Sequence, residues 1–133
     1  MDKDKLLTIA KKARERAYAP YSDFCVGAAL LCADGEIYTG CNIENASFSP
    51  TCCAERTAIF KAVSDGKQNF LAIAIVGGKK DSQDMLPCYP CGVCRQVMSE
   101  FCDDDFLVIT ENNGSPEITA FSDILPKRFQ INN

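Results

Sequence analysis

Nowhere does the sequence hold the roughly 20 consecutive apolar residues that a membrane-spanning helix needs. It has no basic excess either, since 14 lysines and arginines against 18 aspartates and glutamates give a formal charge of −4. A surface that tracks phosphates would have to be built against that overall field, so long nucleic acid is not an expected partner. Residues Met1 to Lys5 carry mixed charges and lead into alternating polar and apolar residues, without the apolar core of a signal peptide. A cytoplasmic protein that engages no membrane is the expectation. Internal repeats, low-complexity stretches and interdomain linkers are missing too, so the 133 residues are expected to form one domain, 1–133.

Cysteine, by contrast, is abundant. Nine occur, at positions 25, 32, 41, 52, 53, 88, 91, 94 and 102. In a chain expected to sit among reduced cytosolic thiols, an odd number of cysteines favours metal ligation or catalysis over a disulfide framework. Cys25, Cys32 and Cys41 fall within apolar or strand-like stretches, where a reduced cysteine acts as a small buried hydrophobe.

From Lys5 to Tyr18, Leu6, Leu7, Ile9, Ala10, Ala13 and Ala17 recur at helical spacing, and Pro20 halts the pattern. Phe24 to Leu31 and Glu36 to Gly40 read as strands joined at Asp34-Gly35. A polar loop over 41–51 leads to a helix from Cys52 to Ser64. Phe70 to Val76 is a continuous apolar run, as expected of a strand covered on both faces, and Gly77-Gly78 follows it. Val93, Val97, Met98 and Phe101 share a helical face, and Phe106 to Thr110 reads as a further strand. Asn112-Asn113-Gly114 makes a turn, and the tail is expected to be a short helix with an irregular end. Helices alternating with apolar strands, two of which form a hairpin, imply an α/β fold: a three-layer α/β/α domain around a mixed sheet.

Two segments stand out for chemistry: Thr51-Cys52-Cys53-Ala54-Glu55-Arg56 at one helix start and Pro90-Cys91-Gly92-Val93-Cys94-Arg95-Gln96 at another. Cysteines three positions apart entering a helix can aim both sulfurs at one metal, and a third from the other helix start leaves one coordination position open. Three protein ligands plus water is the arrangement of catalytic zinc, whereas structural zinc takes four protein ligands. Zinc with three thiolates carries a net negative charge, which opposes ionisation of a bound water. Helix N-termini offset it, and Arg56 and Arg95 are candidates to donate to the sulfurs. Glu55, in the first helical turn, can project into the site as a proton shuttle; an ordinary surface acid at a helix start is the plainer reading. Spacing alone leaves Cys52 competing with Cys53, and Cys88-x-x-Cys91 with Cys91-x-x-Cys94.

Cys53-Ala54-Glu55 followed by Pro90-Cys91-Gly92-Val93-Cys94 resembles the [His/Cys]-x-Glu and Pro-Cys-x-x-Cys pattern of zinc nucleoside and nucleobase deaminases. Further segments narrow the resemblance to the small cytidine deaminases: Tyr18-Ala19-Pro20-Tyr21-Ser22, Phe24 with Val26-Gly27-Ala28-Ala29, Gly40 to Ala46, and Gly92 to Val97. They agree in order and spacing over nearly the whole chain.

The resemblance implies a five-stranded mixed sheet flanked by helices, one Zn²⁺ per subunit and a homotetramer whose active sites are completed by neighbouring subunits. It assigns zinc to Cys53, Cys91 and Cys94, because Pro90 and Glu55 then fall in the family's places, and the proton shuttle to Glu55. Asn42 and Glu44 match positions that hold the ribose 3′-hydroxyl, and Phe24 a ring that packs on the base. Backbone around Ala54 matches a contact to the pyrimidine's polar edge, and Phe129 an aromatic that reaches into a neighbour's site. Phe48 stands where the family often has tyrosine, which removes that hydroxyl but keeps an apolar ring.

The implied reaction is hydrolysis of cytidine and deoxycytidine to uridine and deoxyuridine plus ammonia, with water as co-substrate, as in pyrimidine salvage. Deamination of another small cytosine nucleoside, such as an aminoacyl-nucleoside antibiotic, is the near alternative, and Asn42-x-Glu44 argues instead for free ribose. A polynucleotide-editing deaminase would want a basic groove, which the acidic balance opposes. A structural zinc module or a Cys91/Cys94 redox pair would leave Glu55 and the nucleoside-like loop without a role.

Overall fold

The computed structural model describes residues 1–131. Its elements run α1 (Lys3–Arg14), β1 (Phe24–Cys32), β2 (Ile37–Cys41), α2 (Ala54–Ser64), β3 (Phe70–Lys79), α3 (Gly92–Phe101), β4 (Leu107–Asn112), β5 (Ser115–Ala120) and α4 (Phe121–Ile124). One five-stranded sheet has the order β2-β1-β3-β4-β5. β1 pairs antiparallel with both β2 and β3, β3 pairs parallel with β4, and β4 pairs antiparallel with β5. No helix among the described residues is long and apolar enough to cross a membrane.

Period-2 alternation in the central strands sorts side chains onto two helical layers. Ala28, Leu30, Ile73 and Ile75 pack with Ala58, Ile59 and Ala62 of α2, Met98 of α3 and Phe121 of α4. Ala29, Ala72, Ala74 and Val76 point the other way and pack with Leu6, Leu7 and Ala10 of α1. Leu6 and Leu7 are almost fully buried, worth roughly 1.5–3 kcal/mol each in removed apolar surface. Cys25, Cys32 and Cys102 are buried free thiols, and Cys41 is half-buried on β2.

Several elements differ from the sequence reading. Helix α1 stops at Arg14, whose guanidinium leaves the helix to donate to the carbonyls of Cys25 at 2.9 Å, Gly78 at 3.0 Å and Lys79 at 2.6 Å. Tyr18, which hydropathy would keep helical, donates its N–H to Asn42 at 2.9 Å and bridges to Ile43 instead. β3 continues through Gly77, where an added Cβ would lie 2.9 Å from the Phe24 ring and 3.0 Å from the Cys88 sulfur. β5 was not visible in the pattern at all. It is an edge strand with Pro116 in it, mostly exposed, whose pairing with β4 supplies what hydropathy does not. Finally, α2 begins at Ala54, so Cys53 is its N-cap.

Candidate active site

Both metal-candidate segments end in the same local geometry. Cys53 caps α2 and Cys91 caps α3, each in extended backbone conformation and neither using its side chain to cap the helix. Their sulfurs are therefore free to turn away from the helix axis, while the first N–H groups keep positive potential beside them. Cys94, one turn into α3, is fully buried. The three sulfurs lie within 4.8 Å of one another, and those of Cys53 and Cys91 are 3.7 Å apart. Tetrahedral zinc with Zn–S bonds of about 2.3 Å sets its sulfurs about 3.8 Å apart, so the set fits the ion. Cys52 and Cys88 lie outside this cluster, in keeping with the register Cys53, Cys91 and Cys94. The chain contains no histidine, so no imidazole can take a place among the ligands.

The approach of α2 to the sheet depends on Gly40 of β2. A Cβ there would sit 2.3 Å from the Ala54 carbonyl oxygen and 2.6 Å from the Ala58 nitrogen, so only glycine lets the helix start lie this close. Fixing the first turn of α2 fixes Cys53, Glu55 and Arg56 together.

Glu55 is 4% exposed. Burial is the main effect on its carboxyl and pushes it up to about 7, with the Cys53 charge adding to the rise against its own backbone N–H. Such a group both takes and gives a proton near neutral pH. Arg56 donates Nη2 to the Thr51 carbonyl at 3.3 Å and to the Cys53 sulfur at 3.5 Å. Beside Cys53 the Cys94 thiol, then Arg56 and Cys91, hold its thiol down at about 5 against burial. Arg95, expected to donate to sulfur, does not. Its Nε bonds the Pro90 carbonyl at 2.7 Å and its Nη1 the Ile124 carbonyl at 2.6 Å, tying the loop before Cys91 to the end of α4. Its position one turn beyond Cys91 brings backbone acceptors, not sulfur, within reach.

A cavity of about 310 Å³ opens over these groups. Cys53, Ala54, Glu55 and Cys91 line it together with Phe24, Asn42 and Glu44. The Asn42 amide spans the edge of β1, donating to the Phe24 carbonyl and accepting from the Val26 N–H, both at 2.9 Å. Glu44 accepts from the N–H groups of Tyr21 and Ser22 and from the Ser22 hydroxyl. That hydroxyl, above all, holds its carboxyl below the usual range. Phe48 is 83% exposed and lines a neighbouring hollow with Tyr21 and Thr51. Phe129 is 68% exposed, its carbonyl accepting from Gln96 and Ser99 of α3, and it is not part of the cavity within one chain.

Sequence reasoning missed Ser22, Cys88 and Tyr89 as parts of the cavity wall. In the sequence Cys88 stands out only as a possible ligand, and Tyr89 carries no motif. Its hydroxyl donates to Glu117 on β5, a strand that the pattern had not shown.

Residues 1–110 match the family model described as the cytidine and deoxycytidylate deaminase zinc-binding region. The chain belongs to this family. It is 53% identical to a cytidine deaminase of Sporosarcina psychrophila, over 97% of this chain and 92% of the relative. Its fold matches a crystal structure of cytidine deaminase from Burkholderia pseudomallei with a TM-score of 0.85 and 45% identity, covering 97% of this chain and all of that one. A blasticidin-S deaminase of Bacillus cereus is more distant, at 32% identity over 95% of this chain and 93% of that relative. Family membership and the three-cysteine cluster together identify zinc as the cofactor of this site.

Proposed function

We propose that residues 1–133 form one catalytic domain that hydrolyses cytidine and deoxycytidine to uridine and deoxyuridine with release of ammonia, as in cytoplasmic pyrimidine salvage. The observation that carries this reading is the buried Glu55 carboxyl in a cavity lined also by Cys53, Cys91, Asn42 and Glu44, with the Cys94 sulfur within 4.8 Å of the other two.

Cys53, Cys91 and Cys94 would hold zinc, which would supply Lewis-acid activation of water. Glu55 takes a proton from the attacking water and delivers it to N3 of the pyrimidine as the C4–O bond forms. It then carries the second proton from that oxygen to the amino group, so that the C4–N bond breaks, ammonia leaves and the carbonyl is made. Burial, by raising its affinity for a proton, suits Glu55 to both transfers. Arg56 offsets the thiolate charge through the Cys53 sulfur. The Phe24 ring packs on the base, backbone at Ala54 meets its polar edge, and Asn42 and Glu44 bind the ribose hydroxyl. Asn42 keeps one N–H and one lone pair for this after its two bonds to β1.

The exposed rings of Phe48 and Phe129 support a homotetramer in which neighbouring subunits cover them and complete each site. Sedimentation at assay concentration checks this.

Zinc-loaded protein is expected to deplete the ultraviolet absorbance of cytidine and deoxycytidine and to release one ammonia per nucleoside. If both nucleosides were untouched while an aminoacyl-nucleoside antibiotic was consumed, the near alternative would replace this reading.

A further inference from the structure

Ser22 lies in the turn that carries the chain into β1, and its polar atoms do more than close that turn. The N–H groups of Tyr21 and Ser22 donate to Glu44 Oε1 at 2.9 and 3.1 Å. Ser22 Oγ donates to Glu44 Oε2 and accepts from the Phe24 N–H at 3.1 Å. Between them Asp23 adopts a φ of 60°, in the left-handed region, its own N–H bonded to the Ala19 carbonyl at 3.1 Å. The Ser22 hydroxyl is thus the joint between Glu44 and the backbone of Phe24.

A carboxylate offers about four acceptor positions. Tyr21, Ser22 N–H and Ser22 Oγ occupy three at Glu44, which leaves one acceptor position on a side chain lining the cavity. A free glutamate would have to surrender rotamer freedom on each binding event; one already ordered does not. The same bonding keeps the group ionised, so an anionic substituent arriving there meets like charge.

We propose that Ser22 is a positioning residue that fixes Glu44 in one rotamer with a single acceptor position open, so that the site selects nucleosides presenting a sugar hydroxyl there over analogues that lack it or carry a phosphate in its place. This rests on the reading of Glu44 as a ribose-contacting residue.

The test uses zinc-loaded protein with cytidine and 3′-deoxycytidine as substrates and cytidine 3′-monophosphate as a competitor. Ser22→Ala is expected to raise KM for cytidine about tenfold while kcat changes by less than about twofold, the signature of lost binding and not lost chemistry. KM for 3′-deoxycytidine should hardly move, inhibition by the 3′-phosphate should strengthen, and Ser22→Thr should restore the wild-type values. In the Glu44→Gln background the Ser22→Ala change should add nothing. If the alanine variant does not fold, Ser22→Cys keeps the volume, weakens the donor and is expected to give the same split. An equal rise in KM for both substrates, a rise that persists in the Glu44→Gln background, or a loss in kcat with loss of zinc would overturn the inference while leaving the deaminase reading in place. Absence of cytidine turnover by zinc-loaded wild type would overturn that reading, and this inference with it.

Discussion

The sulfurs of Cys53 and Cys91 lie 3.7 Å apart although 38 residues separate them in sequence. A metal held there clasps the starts of α2 and α3, so ligation and folding are linked. Replacing Cys53 or Cys94 by alanine is expected to abolish stoichiometric zinc and lower the thermal midpoint, read by elemental analysis and calorimetry on the same samples. Cys52→Ser and Cys88→Ser should keep one zinc per chain. Loss of zinc from Cys88→Ser with retention in Cys94→Ala would assign the other register.

Among the described residues, Arg56 is the arginine that reaches a sulfur of the cluster, and Arg95 braces backbone instead. Arg56→Gln is therefore expected to lower zinc affinity or kcat by about 10–100-fold, the range for outer-shell partners of metal ligands. Arg95→Gln should act through the loop before Cys91, with a lower unfolding midpoint. Competition with a zinc chelator and steady-state kinetics separate the two variants.

Gly40 admits the first turn of α2, with no room for a methyl group between β2 and the Ala54 carbonyl. Gly40→Ala is expected to destabilise the protein by about 1–3 kcal/mol, as overpacking against backbone does. It should also reduce turnover, because Cys53 and Glu55 ride on that turn. Urea unfolding monitored by circular dichroism gives the first quantity. A midpoint equal to wild type would show that the helix start is free to shift.

Thiol reactivity should divide the cysteines of the metal-stripped protein. Cys53 is held down at about 5 by Cys94 first and then by Arg56, whereas burial pushes Cys88 up to about 12. The thiolate is the reactive form, so Cys53 is the more nucleophilic of the two. Iodoacetamide followed by peptide mass mapping is expected to label Cys53 early and Cys88 late, with zinc protecting Cys53.

Most of the layers were legible because the central strands are bounded by turn residues and the helices carry clear apolar faces. Phe24, the Asp34-Gly35 hairpin and the Phe70 run needed only local pattern. β5 was hidden because Pro116 and Glu117 lie on an exposed edge, where pairing to β4 and not burial makes the strand. The end of α1 was hidden because Arg14 is drawn to carbonyls on β1 and β3, a long-range contact no window of sequence contains. At the site, the motif located Glu55 and, through the places of Pro90 and Glu55, pointed to Cys53, Cys91 and Cys94, and the spatial cluster holds those three without Cys52 or Cys88. The direction of Arg95 depended on where α4 places the Ile124 carbonyl. Ser22 carried no chemical signal of its own, since its partner Glu44 lies 22 residues away.

The most direct test of Glu55 as the proton shuttle at a zinc site is a paired measurement of bound zinc and cytidine turnover in wild type and Glu55→Gln, made on the same preparations. The expected result is one zinc per chain in both, rapid loss of cytidine absorbance with wild type and a rate lower by at least about 10²-fold with the variant. Near-wild-type turnover by zinc-loaded Glu55→Gln would contradict the assignment.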